Sequence, residues 1–360
     1  MKLLSLPKID WWLLAPVVLL LIISLTTLFS LNSAFFRGQL FTLAIAVSAF
    51  FVFSQIPYDL LRRLSVPFYI ISIILLVIVL ILGIEAKGAV RWVYIFGFPI
   101  QFSEVLKPFL AISFSSFLAN SSSGSLRSYI FSLIYLAPIF LLIALQPDLG
   151  NSMIYLLVTG LVLIVYGFPW KWFALTALPF VLLSPILWHF LREYQRLRLL
   201  TFINPTSDPL GSSYNLIQAV IAVGSGMVMG KGLSLGTQSG LRFLPERHTD
   251  FIFASLSESM GFIGATIVLV CFLALCYRIY RLFARIEDTF CRMFAVCTFA
   301  FILVHFFVNI AMNLGLIPIV GVTLPFVSYG GSSLLSNFIL LGILSSIATA
   351  HRRQRVLEIR

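Results

Sequence analysis

Residues 11–31 read WWLLAPVVLLLIISLTTLFSL, a run of 21 residues without a charged side chain. A helix needs about 20 predominantly apolar residues to cross the hydrocarbon core of a bilayer. The run is too long for the apolar core of a signal peptide, and it lacks a clear small-residue cleavage site. We therefore predict a retained transmembrane helix.

The rest of the chain repeats this pattern. Hydrophobic residues make up 60% of the 360 residues, charged residues make up 10%, and the mean hydropathy is +1.04. Soluble proteins carry about 25% charged residues, so this composition excludes a soluble globular domain. We predict one all-α domain over residues 1–360, a polytopic membrane protein with about ten transmembrane helices. The predicted spans are residues 12–31, 39–55, 66–84, 104–119, 128–145, 150–167, 172–191, 252–277, 290–313 and 331–349.

The positive charges predict the orientation of the chain in the membrane. The formal net charge is +11, and most Lys and Arg residues of the short loops and tails fall on one predicted side. This bias marks the cytoplasmic side, so we predict cytoplasmic N- and C-termini in a bacterial cytoplasmic (inner) membrane. No basic run alternates with exposed aromatic residues, which argues against a nucleic-acid partner. The charges include Lys2, Lys8, Arg62, Arg63, Arg278, Arg281, Arg352, Arg353 and Arg355.

One long segment interrupts the series of spans. Residues 192–250 separate the seventh and eighth predicted helices, and the charge count places this loop outside the cell. Its apolar piece, residues 214–230, is interrupted by glycines and is too short to span a bilayer. We predict a re-entrant or interfacial element, which is tolerated only against protein or a wet cavity.

Several cofactor classes find no support in the sequence. The four cysteines, Cys271, Cys276, Cys291 and Cys297, fall in apolar runs or at their ends, so we expect neither a disulfide nor a zinc cluster. A Walker loop and a dinucleotide fingerprint are both missing from the sequence, so we expect no nucleotide, and we expect no haem.

Ionisable residues at membrane depth are the main functional candidates. Glu104 and Lys107 are three residues apart and share a helix face; they either lock the helix into the bundle or form a charged wall of a cavity. The same alternatives apply to Arg91, while Trp92 is also suited to anchor the chain at the membrane interface. Asp148, in the turn QPDLG, is either a helix N-cap or part of the site.

The long loop carries several cationic residues and ends at a carboxylate. Arg196, Arg198 and Lys231 are suited to hold a phosphate, although they are equally suited to a solvated basic loop. At the end of the loop the sequence LPERHTDF, residues 244–251, leads into an apolar helix. Thr249 is a candidate N-cap, and Asp250 would then head a polar stripe that includes Ser257 and Glu258. His248, in the same segment, is a further candidate site residue. Asp250 is either the candidate base or only a partner of the helix dipole.

A second polar region lies near the C-terminus. His305, Asn309 and Asn313 recur at four-residue spacing, which is typical of hydrogen bonds between helices in membranes. Ser328 follows within LPFVSYGG, residues 324–331. These features together predict a polar cavity open to the outside and leave two classes of protein, a transporter and a membrane-embedded transferase.

Five motifs, in this order along nearly the whole chain, resemble the SEDS family, which comprises RodA, FtsW and a sporulation relative. Phe102 departs from the family, in which proline is usual. The short termini and the PERH sequence are more similar to RodA than to FtsW. The motifs are GAVRW at 88–92, QFSEVLK at 101–107, QPDLG at 146–150, LPERHTDF at 244–251 and LPFVSYGG at 324–331.

The resemblance implies a peptidoglycan glycosyltransferase that polymerises lipid II, the undecaprenyl-pyrophosphate-linked disaccharide peptide, for cell elongation. It further implies a class B penicillin-binding protein as the partner that crosslinks the product. It also implies a divalent metal, Mg²⁺ or Mn²⁺, for which Asp250 is the candidate ligand. The alternatives are an FtsW-like enzyme of cell division and a flippase for the same lipid.

The orientation can be tested by labelling. If the loop 192–250 lies outside, a cysteine introduced at Ser212 should react with a membrane-impermeant thiol reagent in intact cells. Labelling that requires cell lysis would reverse the predicted orientation.

Overall fold

A computed structural model of the chain describes residues 10–86, 89–95, 97–206, 208, 211 and 213–358. Lys2, Lys8, Gly88 and Ser212 lie outside the described residues. Helices dominate, so the predicted all-α polytopic fold is confirmed. The helices are α1 Trp11–Leu31, α2 Ser33–Gln55, α3 Tyr58–Arg63, α4 Ser65–Leu82, α5 Phe102–Val105, α6 Lys107–Ala119, α7 Leu126–Leu145, α8 Leu149–Tyr166, α9 Trp170–Leu182, α10 Ser184–Phe190, α11 Glu193–Ile203, α12 Tyr214–Ser225, α13 Thr237–Gly240, α14 Ile252–Phe283, α15 Thr289–Asn313 and α16 Gly331–Glu358.

Fewer of the described helices are long enough to span a bilayer than the sequence predicts. Within the described residues, eight helices are long and apolar enough to cross a membrane, and a ninth span results if the bent pair Trp170–Pro179 and Ser184–Phe190 counts as one. The predicted span 104–119 corresponds to α5 and α6, which are separated at Leu106. At 13 residues, α6 alone is about 20 Å long, too short for a core of about 30 Å. The count of ten therefore stays a prediction.

The helices α15 and α16 form the centre of the bundle. They are the most buried of the candidate spans. Within their most apolar stretches, 72% of the residues of α15 and 78% of those of α16 are buried inside the protein. Around them, α15 packs against α6, α8 and α14, while α16 packs along α2. Gly342 permits the close approach of α16 and α2, because a Cβ there would lie 2.8 Å from the Phe50 carbonyl oxygen. The polar residues of α15 are thus held inside protein rather than lipid.

A small antiparallel sheet follows α4 and was not predicted. Its strands are β1 Ile84–Ala86, β2 Ala89–Ile95 and β3 Phe98–Ile100, in the order β1-β2-β3. Trp92 pairs with Ile84, and Val93 pairs with Ile100. Because β2 carries Arg91 and Trp92 and β3 leads directly into Gln101, the sheet brings two of the family motifs to one place.

The long loop contains helices rather than coil. After α11, helix α12 packs against α14 and α15, with Leu216, Ala219 and Ala222 buried. The predicted re-entrant or interfacial element is therefore a helix set against protein. Its position relative to the bilayer stays a prediction.

The turn that follows α12 repairs a break in α14. Gly261 has φ 65° and ψ −163°, outside the helical region, so neighbouring peptide groups lose their helical partners. Residues 226–232 supply replacements: Lys231 N donates to Glu258 O at 2.9 Å, and Phe262 N donates to Met227 O at 2.8 Å. Unpaired peptide groups cost several kcal/mol in lipid, so the loop and the broken helix depend on each other.

Ion pairs mark one end of the bundle. Arg278 pairs with Asp10, and Arg62 Nη1 lies 3.5 Å from Asp288 Oδ2. The beginning of α1, the α3 segment and the α14–α15 loop therefore meet at the same end, as the predicted topology requires. Which end faces the cytoplasm stays a prediction.

The break in α14 predicts a strong effect of a small substitution. Gly261→Ala should lower the free energy of unfolding by more than about 3 kcal/mol, because this backbone conformation costs a non-glycine residue about 1–3 kcal/mol and the added carbon overpacks the site. The new Cβ would lie 2.3 Å from Gly230 N. The measurement is thermal unfolding in detergent.

Gly160→Ala in α8 is the matched control, since a Cβ there meets nothing within 4 Å. It should leave the melting temperature unchanged or raise it, because alanine favours the helix by up to about 1 kcal/mol. Equal melting temperatures for Gly261→Ala and the unsubstituted protein would contradict the assigned role of the break.

Candidate active site

A cavity of about 610 Å³ lies between α2, the sheet, α5 and the segments 246–250 and 321–335. Five of the residues singled out from the sequence line it together, although they come from three distant motifs. These five residues contribute two carboxylates, a guanidinium and an imidazole, and Glu246 adds a third carboxylate to the lining. These five residues are Arg91, Trp92, Glu104, His248 and Asp250.

The LPFVSYGG segment donates hydrogen bonds to the backbone immediately before Asp250. Tyr329 N donates to His248 O at 2.8 Å, and Ser328 Oγ donates to Thr249 O at 2.7 Å. Ser328 also accepts from Leu324 N at 2.8 Å. Ser328 therefore supports the turn and is not among the residues that line the cavity. On the other side, the His248 ring stacks on Phe35 at a centroid distance of 4.0 Å.

This arrangement corrects the predicted start of the helix. The Thr249 carbonyl accepts from the Ser328 hydroxyl, and α14 does not begin directly after Thr249. Instead α14 begins at Ile252, after Phe251, and the Thr249 hydroxyl lies 3.0 Å from Glu246 Oε2. The prediction that Thr249 caps this helix is wrong, and Asp250 lies in the turn before it.

Asp250 faces a cation. A Cβ placed on Gly321 would lie 3.3 Å from Asp250 Oδ2 and 3.9 Å from Arg198 Nη1, so both groups approach the same glycine. Arg198 also donates to Ile319 O at 3.2 Å. Burial lowers the pKa of the Arg198 guanidinium, and the Asp250 carboxylate acts in the opposite direction. Arginine starts from a pKa above about 12, so Arg198 remains cationic beside Asp250.

Asp148 holds Arg91 in the cavity wall. Arg91 Nη1 lies 3.3 Å from Asp148 Oδ1, while Gln101 Nε2 and Asn151 Nδ2 donate to Oδ2 at 2.8 Å and 2.9 Å. The predicted capping role is also confirmed, because Asp148 accepts from Asn151 N at the start of α8. Asp148 is buried and does not line the cavity, so it acts on the site through Arg91.

The predicted pair of Glu104 and Lys107 is confirmed. Lys107 Nζ lies 2.6 Å from Glu104 Oε2, and both residues are buried. Glu104 lines the cavity, whereas Lys107 lies behind it and contacts His305 of α15 at 2.7 Å. A charge buried without its partner costs about 3–5 kcal/mol, so each member of the pair requires the other.

Arg198, like Lys107, Asp148 and Ser328, is not among the residues that line the cavity, and the same holds for three more predicted residues. Arg196 donates to the carbonyls of Trp188 and His189 in α10. Lys231 Nζ lies 3.4 Å from Glu258 Oε1, and Glu258 accepts from Ser239 N at 2.8 Å. The predicted stripe separates because Asp250 precedes the helix, so helical spacing does not carry Asp250 and Glu258 to one face. Glu258 instead fixes α13 and the loop around it.

A family model for the cell cycle proteins FtsW, RodA and SpoVE matches residues 5–353. The chain belongs to this family. It is 41% identical over 304 residues to the peptidoglycan glycosyltransferase MrdB of Escherichia coli K12, covering 84% of this chain and 82% of MrdB. It is 32% identical over 369 residues to the probable peptidoglycan glycosyltransferase FtsW of Hydrogenovibrio crunogenus, covering 97% and 94% of the two chains.

A solved structure shares the fold of this FtsW/RodA/SpoVE family member. The match has a TM-score of 0.82 and 27% sequence identity, and it covers 95% of this chain and 98% of the other. That structure is described as the structural coordination of polymerization and crosslinking by a peptidoglycan synthase complex.

Several polar residues of the cavity were missed from the sequence. Glu246 and Gln101 both lie inside quoted family motifs, so their neighbours in the sequence could have pointed to them. The hydroxyls of Thr323, Ser332 and Ser333 follow from no sequence signal, because only the fold brings residues 321–335 against α2 and the sheet.

The contact at Gly321 predicts a local loss of activity. Gly321→Ala should reduce the glycan polymerisation expected of this family at least tenfold, because the new Cβ would contact Asp250 Oδ2 in the cavity. The positive φ of 71° adds backbone strain of about 1–2 kcal/mol. Polymerisation and melting temperature are measured on the same detergent-purified sample.

Gly124→Ala separates strain from contact. Gly124 has φ +80°, and a Cβ there meets nothing within 4 Å. It should lower the melting temperature to a similar extent and leave polymerisation within about twofold, since the backbone cost is alike. Equal loss of activity in both variants would show that strain alone accounts for the effect.

Proposed function

We propose that this chain is a peptidoglycan glycosyltransferase that polymerises lipid II at the outer face of the bacterial cytoplasmic membrane. The observation that carries the proposal is the cavity, which has charged groups inside and apolar side chains at its rim. The family and its relatives named as peptidoglycan glycosyltransferases support the same activity.

The rim of the cavity suits a lipid tail. Phe41, Ile45 and Phe98 line the cavity and are each about half exposed. The Phe41 and Phe98 rings stack at a centroid distance of 5.4 Å, which joins α2 to the sheet. Apolar side chains exposed on a transmembrane helix face lipid. A polyprenyl chain can therefore rest against the rim while its headgroup reaches inward.

The interior of the cavity suits a sugar pyrophosphate. Arg91 lines the wall and Arg198 adjoins Asp250, and guanidinium groups are well matched to phosphate oxygens. Their charges would stabilise the lipid pyrophosphate as it departs with the electron pair of the sugar C1–O bond. No general acid is needed for so good a leaving group, unlike in glycoside hydrolysis.

Asp250 is the base in this proposal. Its carboxylate accepts the proton of the acceptor hydroxyl as that oxygen forms the new bond to C1 of the donor sugar. Asp250 lines the cavity, and the turn that holds it is bonded to Ser328 through the Thr249 carbonyl. The bond that forms and the bond that breaks thus lie between one carboxylate and two guanidinium groups.

The donors around Asp250 fit a hard divalent cation. Asp250 and Glu246 both line the cavity, and Mg²⁺ is usually held by one or two carboxylates together with substrate phosphates. A cluster of three or more His, Cys, Asp or Glu residues at metal-binding distance is absent from the described residues. We propose that these two carboxylates hold Mg²⁺ or Mn²⁺ only together with the pyrophosphate, whose charge the ion would neutralise.

The role in elongation, a RodA-like role, rests on similarity. The chain is 41% identical to MrdB and 32% identical to the FtsW relative. We propose a class B penicillin-binding protein as the crosslinking partner, supported by the fold shared with a peptidoglycan synthase complex. We also propose that both termini lie in the cytoplasm and that the cavity lies on the external side.

A lipid II flippase is the second candidate. The observation that favours it is the broken helix α14, because discontinuous helices are typical of transporters. Glycan polymer made by the purified protein from lipid II supports the polymerase, whereas lipid translocation in vesicles without polymer supports the flippase.

Substitution of Asp250 tests the mechanism. Asp250→Asn keeps the size of the side chain and removes the negative charge, so polymerisation of lipid II should fall about a hundredfold or more. The melting temperature should stay close to that of the unsubstituted protein. The measurement is polymer formed by detergent-purified protein with its partner present.

Asp59→Asn is the matched control, because Asp59 is an exposed carboxylate in the first turn of α3, on a different segment from the cavity. It should polymerise normally. Near-normal turnover by well-folded Asp250→Asn would remove Asp250 as the base and direct attention to Glu104 and Glu246.

A further inference from the structure

Three polar residues of α15 lie on one face of the helix. His305, Asn309 and Asn313 are spaced by four residues, and each is no more than 2% exposed. None of the three lines the cavity. Buried polar side chains in a membrane protein are costly unless they are satisfied, so their partners indicate what they do.

Two of these residues hold the backbone of Asp250. Asn309 Nδ2 and Asn313 Nδ2 each donate to Asp250 O at 3.0 Å. Asn309 also donates to Val322 O at 2.7 Å, directly after Gly321. Asn313 Oδ1 accepts from Ala254 N at 3.1 Å, in the first turn of α14. Both asparagines therefore fix the peptide group from which the Asp250 side chain extends.

The third residue holds Lys107, which lies behind Glu104 in the cavity wall. His305 Nδ1 lies 2.8 Å from Phe301 O, which is only an acceptor, so Nδ1 carries a proton. In the neutral ring Nε2 is then the acceptor, and it receives a hydrogen bond from Lys107 Nζ at 2.7 Å. Lys107 in turn contacts Glu104, which lines the cavity.

We propose that His305, Asn309 and Asn313 are positioning residues that fix Asp250 relative to Glu104 across the cavity. This inference rests on the proposed function, since it concerns the geometry of that reaction. The contacts to Asp250 and to Lys107 both come from α15, within about two turns of one helix. A shift of Asp250 relative to Glu104 therefore requires α15 to lose a hydrogen bond. A displacement of about 1 Å at an active site can cost a hundredfold in rate.

A purely structural role is the competing explanation. Asparagine and histidine side chains often join helices in membranes, where each bond contributes about 0.6 kcal/mol. One feature favours positioning instead: both asparagine amides donate to the same carbonyl, that of Asp250 in the turn before α14.

The first experiment uses Asn313→Leu, which has similar volume and no hydrogen bonds. Asp250 O keeps the bond from Asn309, so the variant should fold. The kcat for lipid II polymerisation should fall at least tenfold, with KM for lipid II within threefold. In the Asp250→Asn background the same change should reduce the remaining rate less than threefold, because Asn313 acts through the carboxylate that is already lost.

Thr298→Val is the matched control on the same helix. Thr298 is fully buried, and its hydroxyl bonds only to Phe294 O among the contacts of the described residues. It should leave kcat within twofold. A tenfold fall caused by Asn313→Leu in both backgrounds, or an unchanged kcat in a well-folded Asn313→Leu, would overturn the proposal.

The second experiment concerns His305. His305→Leu should lower kcat at least tenfold, and His305→Gln should recover it to within threefold, because the glutamine oxygen still accepts from Lys107. Equal loss in both variants would overturn the role of His305. Polymerisation by the unsubstituted protein is measured alongside; if it is absent, the proposed function itself fails, independently of these comparisons.

Discussion

Peptide groups that lose their helical partners inside a membrane must find others in the protein, and this constraint shapes the whole molecule. At Gly261 the turn 226–232 provides those partners. In the segment 248–250, the LPFVSYGG segment and α15 provide them. Each of these two irregular stretches of backbone is therefore tied to a regular helix. The segment 248–250 carries Asp250, and α15 and the LPFVSYGG segment keep it in place.

The cavity consequently has a layered construction. Asp250, Glu104 and Arg91 reach it, while Asp148, Lys107 and the polar face of α15 hold them from behind. Supporting shells of this kind are what keep reacting groups within a fraction of an ångström of a working geometry. Asp148 pairs with Arg91 and Lys107 pairs with Glu104, while Arg198 adjoins Asp250, so each of the three charges in the first layer has an opposite charge beside it.

Much of this could be read from the sequence, for definite reasons. Long apolar runs predict spans well because the bilayer allows few alternatives, and a spacing of three residues placed Glu104 beside Lys107. The stripe from Asp250 to Glu258 failed because its spacing assumed a helix from Asp250 onward, whereas α14 begins at Ile252 and the Thr249 carbonyl bonds to Ser328. The two bonded groups, Ser328 and Thr249, are about 80 residues apart in the sequence, so a local sequence pattern could not have predicted their contact. The small sheet was missed because its strands are short.

The join between the long loop and α14 also has a consequence for biosynthesis. The loop segment that ends at Gly232 leaves the ribosome before Gly261, and at about 5–20 residues per second the roughly 30 residues between them take a few seconds. The partners for Phe262 and Ile263 are thus already made when the break in α14 is translated. A chain inserted in this order can bend α14 as soon as it enters the membrane, without exposing its unpaired peptide groups to lipid.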